Sequence, residues 1–238
     1  MYTPEARTVT TLGNKFENNA NIVKFNELQY FTGLTTLSRV VSGQNIDGMP
    51  YYGAFNRCSN LEEITLPNIT ISGQYCIAAL FLRCEKLKTV DMSPITVSGS
   101  TSLYNLCRLC TAVTNVILPH VTVLTTYLGF MYAFNTCSNL VTIDASNTNF
   151  TYLNYTNNPS CFGGCSKLTR IIGGLSEWKQ TVTISACPLT HDAAVELLTS
   201  LGTVTEARTI TLKTSVYNSL TTEEKAIATD KGWTLAYE

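Results

Sequence analysis

The cysteines of this chain are periodic, and that constrains the fold more than any other feature. Cys58, Cys84, Cys110, Cys137 and Cys165 follow one another at intervals of 26, 26, 27 and 28 residues. Each lies in the same word. The first copy reads Ala54-Phe55-x-x-Cys58-x-x-Leu61-x-x-Ile64-x-Leu66-Pro67, and the second Leu80-Phe81-x-x-Cys84-x-x-Leu87-x-x-Val90-x-Met92. The third is Leu106-Cys107-x-x-Cys110-x-x-Val113-x-x-Val116-x-Leu118-Pro119. The fourth and fifth run from Ala133-Phe134 to Ala145 and from Cys161-Phe162 to Gly173. A unit this short cannot bury its apolar side alone, so neighbouring units must stack and cover it.

Each unit has two halves. Upstream of the cysteine, apolar residues fall three, four and seven positions back, as Tyr51, Ala54 and Phe55 do before Cys58. That spacing predicts one face of a short helix. Downstream, Ile64-Thr65-Leu66 and Ile69-Thr70-Ile71 alternate around Pro67. Alternation predicts two short strands, with proline bending the chain between them. Parallel strands of stacked units lie about 4.8 Å apart.

The flanks differ. Phe25 to Leu37 predicts a helix and strand of an atypical first turn, and Thr181 to Ser185 a sixth strand. Beyond that, Thr190 is placed to cap a helix from His191 to about Ser200, and Thr209 to Leu212 reads as a strand. Thr221-Thr222-Glu223-Glu224 has the form of a capping box. Its helix runs to Thr229 and stops at Gly232, and Trp233 to Tyr237 alternates as a last strand. The expected organisation is an N-terminal segment and first turn over 1–37, a repeat region over 38–188 and a C-terminal α/β cap over 189–238.

Composition agrees with stacked strands. Charged residues make up 14% and apolar ones 45%, against about 25% charged in an average soluble domain. Thr, Ser and Asn take the place of the missing charge. Low charge with ordinary apolar content excludes disorder. A net charge of −1 without a Lys/Arg cluster argues against nucleic acid. No apolar run reaches the roughly 18 residues of a membrane span. Met1 to Ala20 is polar and lacks the basic and apolar regions of a signal peptide.

The repeated word resembles the BspA-like leucine-rich repeats of bacterial surface proteins over roughly residues 50–175. Phe25-Asn26-Glu27-Leu28-Gln29-Tyr30-Phe31-Thr32-Gly33-Leu34 is similar to the opening segment of such proteins in gut bacteria, and Thr222 to Leu235 to their terminal module. The resemblance implies an α/β right-handed solenoid, display at the cell surface or secretion, and a role in adhesion or protein recognition. It implies no enzyme chemistry and no cofactor. The family's usual repeat is a few residues shorter, and the acidic calcium-loop-like segment that often precedes the opening region is missing here.

The cysteines read as small buried hydrophobes stacked in a column. Cys107 and Cys161 substitute in the Phe and Ala columns, while Cys76 and Cys187 lie outside the main ones. Cys107-x-x-Cys110 has no second pair or histidine at zinc-finger spacing. Disulfides between adjacent rungs are geometrically open, and nine is an odd number. His120 and His191 have no nucleophile motif beside them and read as surface or capping residues. Asp91 and Asp144 share a column two rungs apart, about 10 Å. That exceeds a glycosidase pair's roughly 5–9.5 Å.

The candidate binding surface is the outward side of the inner strands, the concave face of a solenoid. It comprises Glu63, Thr65, Thr89, Asp91, Asn115, Ile117, Thr142, Asp144, Arg170 and Ile172. These are mostly short polar side chains, as a merely solvated ladder would also carry. The loop Ser146 to Ser160, with Phe150, Tyr152 and Tyr155 as exposed aromatics, is a second candidate. Asn-x-Thr sequons at Asn68, Asn149 and Asn154 are frequent by composition in such a chain. The functional expectation is non-enzymatic recognition of a protein or glycan. The alternative is a structural spacer or assembly module in a multidomain surface protein or prophage particle.

Overall fold

Short alternating runs ended by proline make short strands. The computed structural model describes residues 4–40, 51–124, 129–150, 161–173 and 178–238. Its strands in the first part are β1 (Lys24–Phe25), β2 (Ser38–Val40), β3 (Tyr51–Gly53), β4 (Glu63–Ile64), β5 (Ile69–Ser72), β6 (Thr89–Asp91) and β7 (Ile95–Thr101). Then come β8 (Asn115–Ile117), β9 (His120–Leu124), β10 (Thr142–Asp144), β11 (Arg170–Ile172) and β12 (Val182–Thr183). The chain ends with α1 (His191–Ser200), β13 (Arg208–Leu212), α2 (Thr214–Ser219), α3 (Thr222–Thr229) and β14 (Trp233–Tyr237).

Pro67, Pro94 and Pro119 stand between the two strands of their units, where no ladder donor is needed. The first strands stack into a parallel sheet of order β11-β10-β8-β6, with Thr89, Asn115, Thr142 and Arg170 in register. The second strands form the parallel sheet β5-β7-β9, with a register shift in β7 between Val97 and Ser100.

The segments upstream of the cysteines are not helices. They are consecutive turns, and their amides bond to the next coil. Ala79, Phe81 and Arg83 donate to Tyr104, Leu106 and Arg108 at 2.8–2.9 Å, and Asn105, Cys107 and Leu109 to Met131, Ala133 and Asn135. The residue before each ladder cysteine takes a left-handed backbone: Arg57, Arg83, Leu109, Thr136 and Gly164 have φ between 60° and 79°. Ala79, Asn105 and Tyr132, four residues earlier, do the same at 52–55°. Chain reversal every four residues turns the same side chains inward that a helix would. The apolar spacing is therefore kept while the hydrogen bonds run between coils.

Inside, Phe55 stacks on Phe81 at 6.1 Å and Phe134 on Phe162 at 6.2 Å, with Cys107 taking the aromatic's place between the two pairs. All nine cysteines are buried and unbridged. Cys187, expected outside the columns, continues the cysteine column: its thiol faces the Phe162 carbonyl at 4.0 Å.

The N-terminal turn differs from expectation. Its strand is Lys24–Phe25, paired with Glu63–Ile64, and the predicted helix is a 3-10 turn over Asn26–Tyr30. Phe16 stacks on Phe55 at 5.7 Å, and Asn18 has φ 56°. Phe16 to Phe25 is thus a further copy, with Asn19 in the cysteine position, separated from the next by the antiparallel pair β2–β3.

At the other end, β12-β13-β14 form a separate parallel sheet. The expected strand Thr181 to Ser185 shortens to Val182–Thr183 and pairs with β13. Thr190 caps α1 through the Ala193 amide at 3.3 Å, and the Thr221–Glu224 capping box is formed in both directions. Helix α2 carries no capping signal in the sequence, and no side chain caps it. One apolar core runs from Leu12 to Trp233, so the three sequence regions share it.

Candidate functional site

Alternation along each strand puts one residue inward and its neighbours outward. Val90, Val116, Ile143 and Ile171 form the buried central column of the four-stranded sheet. Thr89, Asn115, Thr142 and Arg170 therefore line up on one side of it, and Asp91, Ile117, Asp144 and Ile172 on the other. Thr89, Asp91, Asn115 and Arg170 are exposed; Ile117, Thr142, Asp144 and Ile172 are half-buried. Glu63 and Thr65 are exposed too, but β4 pairs with β1 rather than joining this sheet. A bond from the Lys88 amide to the Glu62 carbonyl at 3.3 Å links the two ladders.

Charge is paired at both ends of the face. Lys24 meets Glu63 at 2.9 Å and Lys88 meets Glu62 at 2.6 Å, around a shallow depression that Thr89 completes. Hydrogen bonds from Lys24 and then Asn26 hold the Glu63 carboxyl below its ordinary range; Lys88 does the same for Glu62. Asn26 also accepts from Thr65 at 2.9 Å. At the far end Arg170 reaches Glu196 of α1 at 3.0 Å. This contact ties the last strand to the helix that covers it.

Between the ends the face is uncharged except for two aspartates. Thr142 donates to the Asn115 side chain at 2.5 Å, which donates to Thr114 at 3.0 Å. Asp91 and Asp144 each accept the amide two residues on, from Ser93 at 2.9 Å and Ser146 at 3.0 Å. Ile117 lies between them in the register. The two carboxylates each hold a local turn and stand two rungs apart in the sheet.

The second candidate loop needs correction. Phe150 is fully buried, with its ring 5.3 Å from Phe130 and 5.4 Å from Trp178. It is part of the main apolar core. Tyr152 and Tyr155 lie outside the described residues. Among the described residues no group of His, Cys, Asp and Glu could hold a metal ion. None of the helices there is long and apolar enough to cross a membrane.

Six coils thus carry one turn geometry, one inner strand position and one stacked core. A family model described as BspA type leucine-rich repeat region, in 6 copies, matches residues 11–128 and 108–185. The chain belongs to the BspA-type leucine-rich repeat family. No curated protein matches the chain. The family's match begins upstream of the copies legible around the cysteines, in agreement with the Phe16–Phe25 coil. The BspA-type repeat is a repeat protein-interaction module.

Sequence reasoning missed His191 as a bridging residue. Its imidazole lies 3.1 Å from Asp192 and 3.1 Å from Glu224, joining α1 to the start of α3. Thr190 and the capping box were the only local signals there. That the two helix starts meet is tertiary.

Proposed function

We propose that this chain is a non-enzymatic recognition module of a surface-displayed or secreted bacterial protein. It binds a protein or glycan through the outward face of β6, β8, β10 and β11, the concave side of a right-handed solenoid that the C-terminal α/β unit caps. The observation that carries this reading is the register of that face. It holds short side chains in two straight columns about 4.8 Å apart per rung, on a frame bonded between coils at three sides. A rigid, pre-ordered surface loses little conformational entropy on binding. Uncharged hydroxyl and amide groups in the middle, with Ile117 among them, suit hydrogen bonding to a polar partner more than steering by charge.

The test is an array of glycans and host or bacterial proteins probed with the intact domain. The reading expects a ligand whose binding falls at least tenfold on Asn115→Lys or Ile117→Glu. An array without binding, or binding indifferent to both changes, would overturn it. A spacer or assembly role is the second reading, favoured by the mutual pairing of Lys24, Glu63, Lys88 and Glu62, which leaves those charges engaged within the chain. It expects no soluble ligand and a defined oligomer or neighbour domain in solution scattering.

A further inference from the structure

Strand β14 stands at the edge of its sheet. It pairs in parallel with β13 along its whole length without a register shift, and among the described residues no strand lies on its other side. The Glu238 amide donates to the Leu212 carbonyl at 3.1 Å, and the Glu238 carbonyl accepts from the Thr214 amide at 3.0 Å, so Glu238 faces β13. Alternation then turns the N–H and C=O groups of Trp233, Leu235 and Tyr237 away from β13. No turn or loop bond among the described residues reaches them. Trp233 anchors the strand, its indole N–H donating to the Gly202 carbonyl at 2.8 Å.

The side chains along this edge are incompletely covered. Ile210 and Leu212 of β13 stand in register with Leu235 and Tyr237. Leu212 is 1% exposed and Tyr237 is 55% exposed, with Leu235 half-buried. The apolar columns that are closed over β13 are thus open over β14. Proteins protect such an edge with charge, proline, a bulge or a covering segment. Trp233-Thr234-Leu235-Ala236-Tyr237 has no charge and no proline, and its register is unbroken. Strand β1 contrasts with it, being two residues long and carrying Lys24.

We propose that the open edge of β14 is a dimer interface, on which a second copy of this chain lays its own β14 in antiparallel register about a two-fold axis through Leu235. The edge is its own complement. The outward groups of Trp233, Leu235 and Tyr237 are spaced evenly about Leu235, so the axis sets Leu235 against the partner's Leu235, and Trp233 against the partner's Tyr237. Each outward N–H then meets an outward C=O. Tyr237 and Leu235 gain the cover that β14 lacks on that side. The three-stranded sheet becomes one of six strands, an ordinary size. Contact of β14 with β1 of another copy would build an open filament, but a two-residue strand with a lysine does not match a five-residue uncharged edge. The strand face of β6, β8, β10 and β11 shares no residue with this edge, so either reading can fail alone.

Sedimentation equilibrium of the intact chain over a range of concentrations tests it. The expected result is a reversible monomer–dimer equilibrium. In the proposed register Thr234 lies opposite the partner's Ala236. Changing both, Thr234→Lys with Ala236→Lys, sets like charges across the axis and should weaken the dimer at least tenfold, as should the corresponding pair of glutamates. An equal mixture of the two variants should recover it. Within the chain these positions stand against Thr209 and Thr211 of β13, where they meet no charge. Circular dichroism verifies each fold. Should the paired variants unfold, amide exchange on the unaltered chain decides: the Leu235 and Tyr237 amides should exchange more slowly as concentration rises. A monomer at every concentration, a dimer indifferent to the paired charges, a mixture without recovery, or exchange at Leu235 and Tyr237 unchanged by association would overturn the proposal.

Discussion

The thiol of Cys110 donates to the carbonyl oxygen of Phe81 across 2.9 Å, and the same oxygen accepts the amide of Cys84 at 3.0 Å. The arrangement recurs at each coil. Cys84 reaches Phe55, Cys137 reaches Cys107 and Cys165 reaches Phe134, all at 2.9–3.1 Å, and Cys58 reaches Phe16 at 2.9 Å. The position needs a side chain small and apolar enough for a dry core, yet able to donate weakly to the coil before it. Cysteine meets both needs.

Replacing Cys110 by alanine should therefore cost about 1–2 kcal/mol, combining a small cavity with one weak lost bond. The Phe81 oxygen keeps its amide partner, which holds the loss at the low end. Urea unfolding should show a lower midpoint with an unchanged slope. A midpoint equal to the parent's would mean that the thiol bond contributes nothing.

Thiol chemistry gives a second expectation. Burial pushes the Cys58 thiol up to about 11 and the Cys165 thiol up to about 12. The thiolate is the reactive species. The native protein at pH 8 should resist a disulfide reagent such as dithionitrobenzoate, and all nine thiols should react in denaturant. Rapid labelling of any ladder cysteine in the native state would contradict the buried column.

The left-handed turn positions respond in opposite directions to glycine. Thr136, β-branched at φ 64°, pays a strain of order 1–2 kcal/mol that glycine does not. Thr136→Gly should be neutral or stabilising by up to about 1 kcal/mol, once glycine's greater freedom when unfolded is subtracted. Gly173 is the converse, at φ 74° with a built Cβ 2.6 Å from the Ser146 Cα. Gly173→Ala should destabilise by more than about 2 kcal/mol, since backbone must shift as well as strain. Thermal melting of the two variants against the parent decides the signs.

His191 predicts a pH effect at the C-terminal unit. Hydrogen bonds that the protonated ring donates to Asp192 and then to Glu224 raise its pKa above 6.5. A group raised in the folded state stabilises fully below its unfolded value, and that contribution fades as pH rises through the folded value. Stability should decline from about pH 6.5 upward in the parent and not in His191→Asn. The Glu224 carboxyl is lowered, first by the Thr221 amide. Its share is present above 4.5 and is lost as pH falls through the lowered value. An imidazole NMR titration of His191 with a midpoint at or below 6.5 would refute the bridge.

The repeat was legible because its columns are chemical. Cys58 to Cys165, with Leu61, Leu87, Val113, Leu140 and Leu168, each need a particular size and polarity in a stacked core. The starts of α1 and α3 were legible because caps are local: Thr190 and Thr221 accept from amides three residues away. The strand-face columns followed from alternation alone. The Phe16 coil is not legible in the sequence because Asn19 replaces its cysteine and residues 26–50 interrupt the period.

The sequence by itself determined the period, the inward columns and the helix caps, since each depends on side-chain chemistry or on partners within four residues. Only the tertiary structure decided between helix and turn upstream of each cysteine. Both place Ile77, Leu80 and Phe81 inward, and the difference is where the amides go. The Phe81 amide bonds to Leu106, 25 residues away, while Arg83 takes a left-handed φ that no pattern of apolar residues reveals. The same distance gathers Tyr75, Tyr104, Arg108 and Tyr132 into one cluster. They stand at unrelated offsets from their cysteines, and only the stacking of coils makes them neighbours.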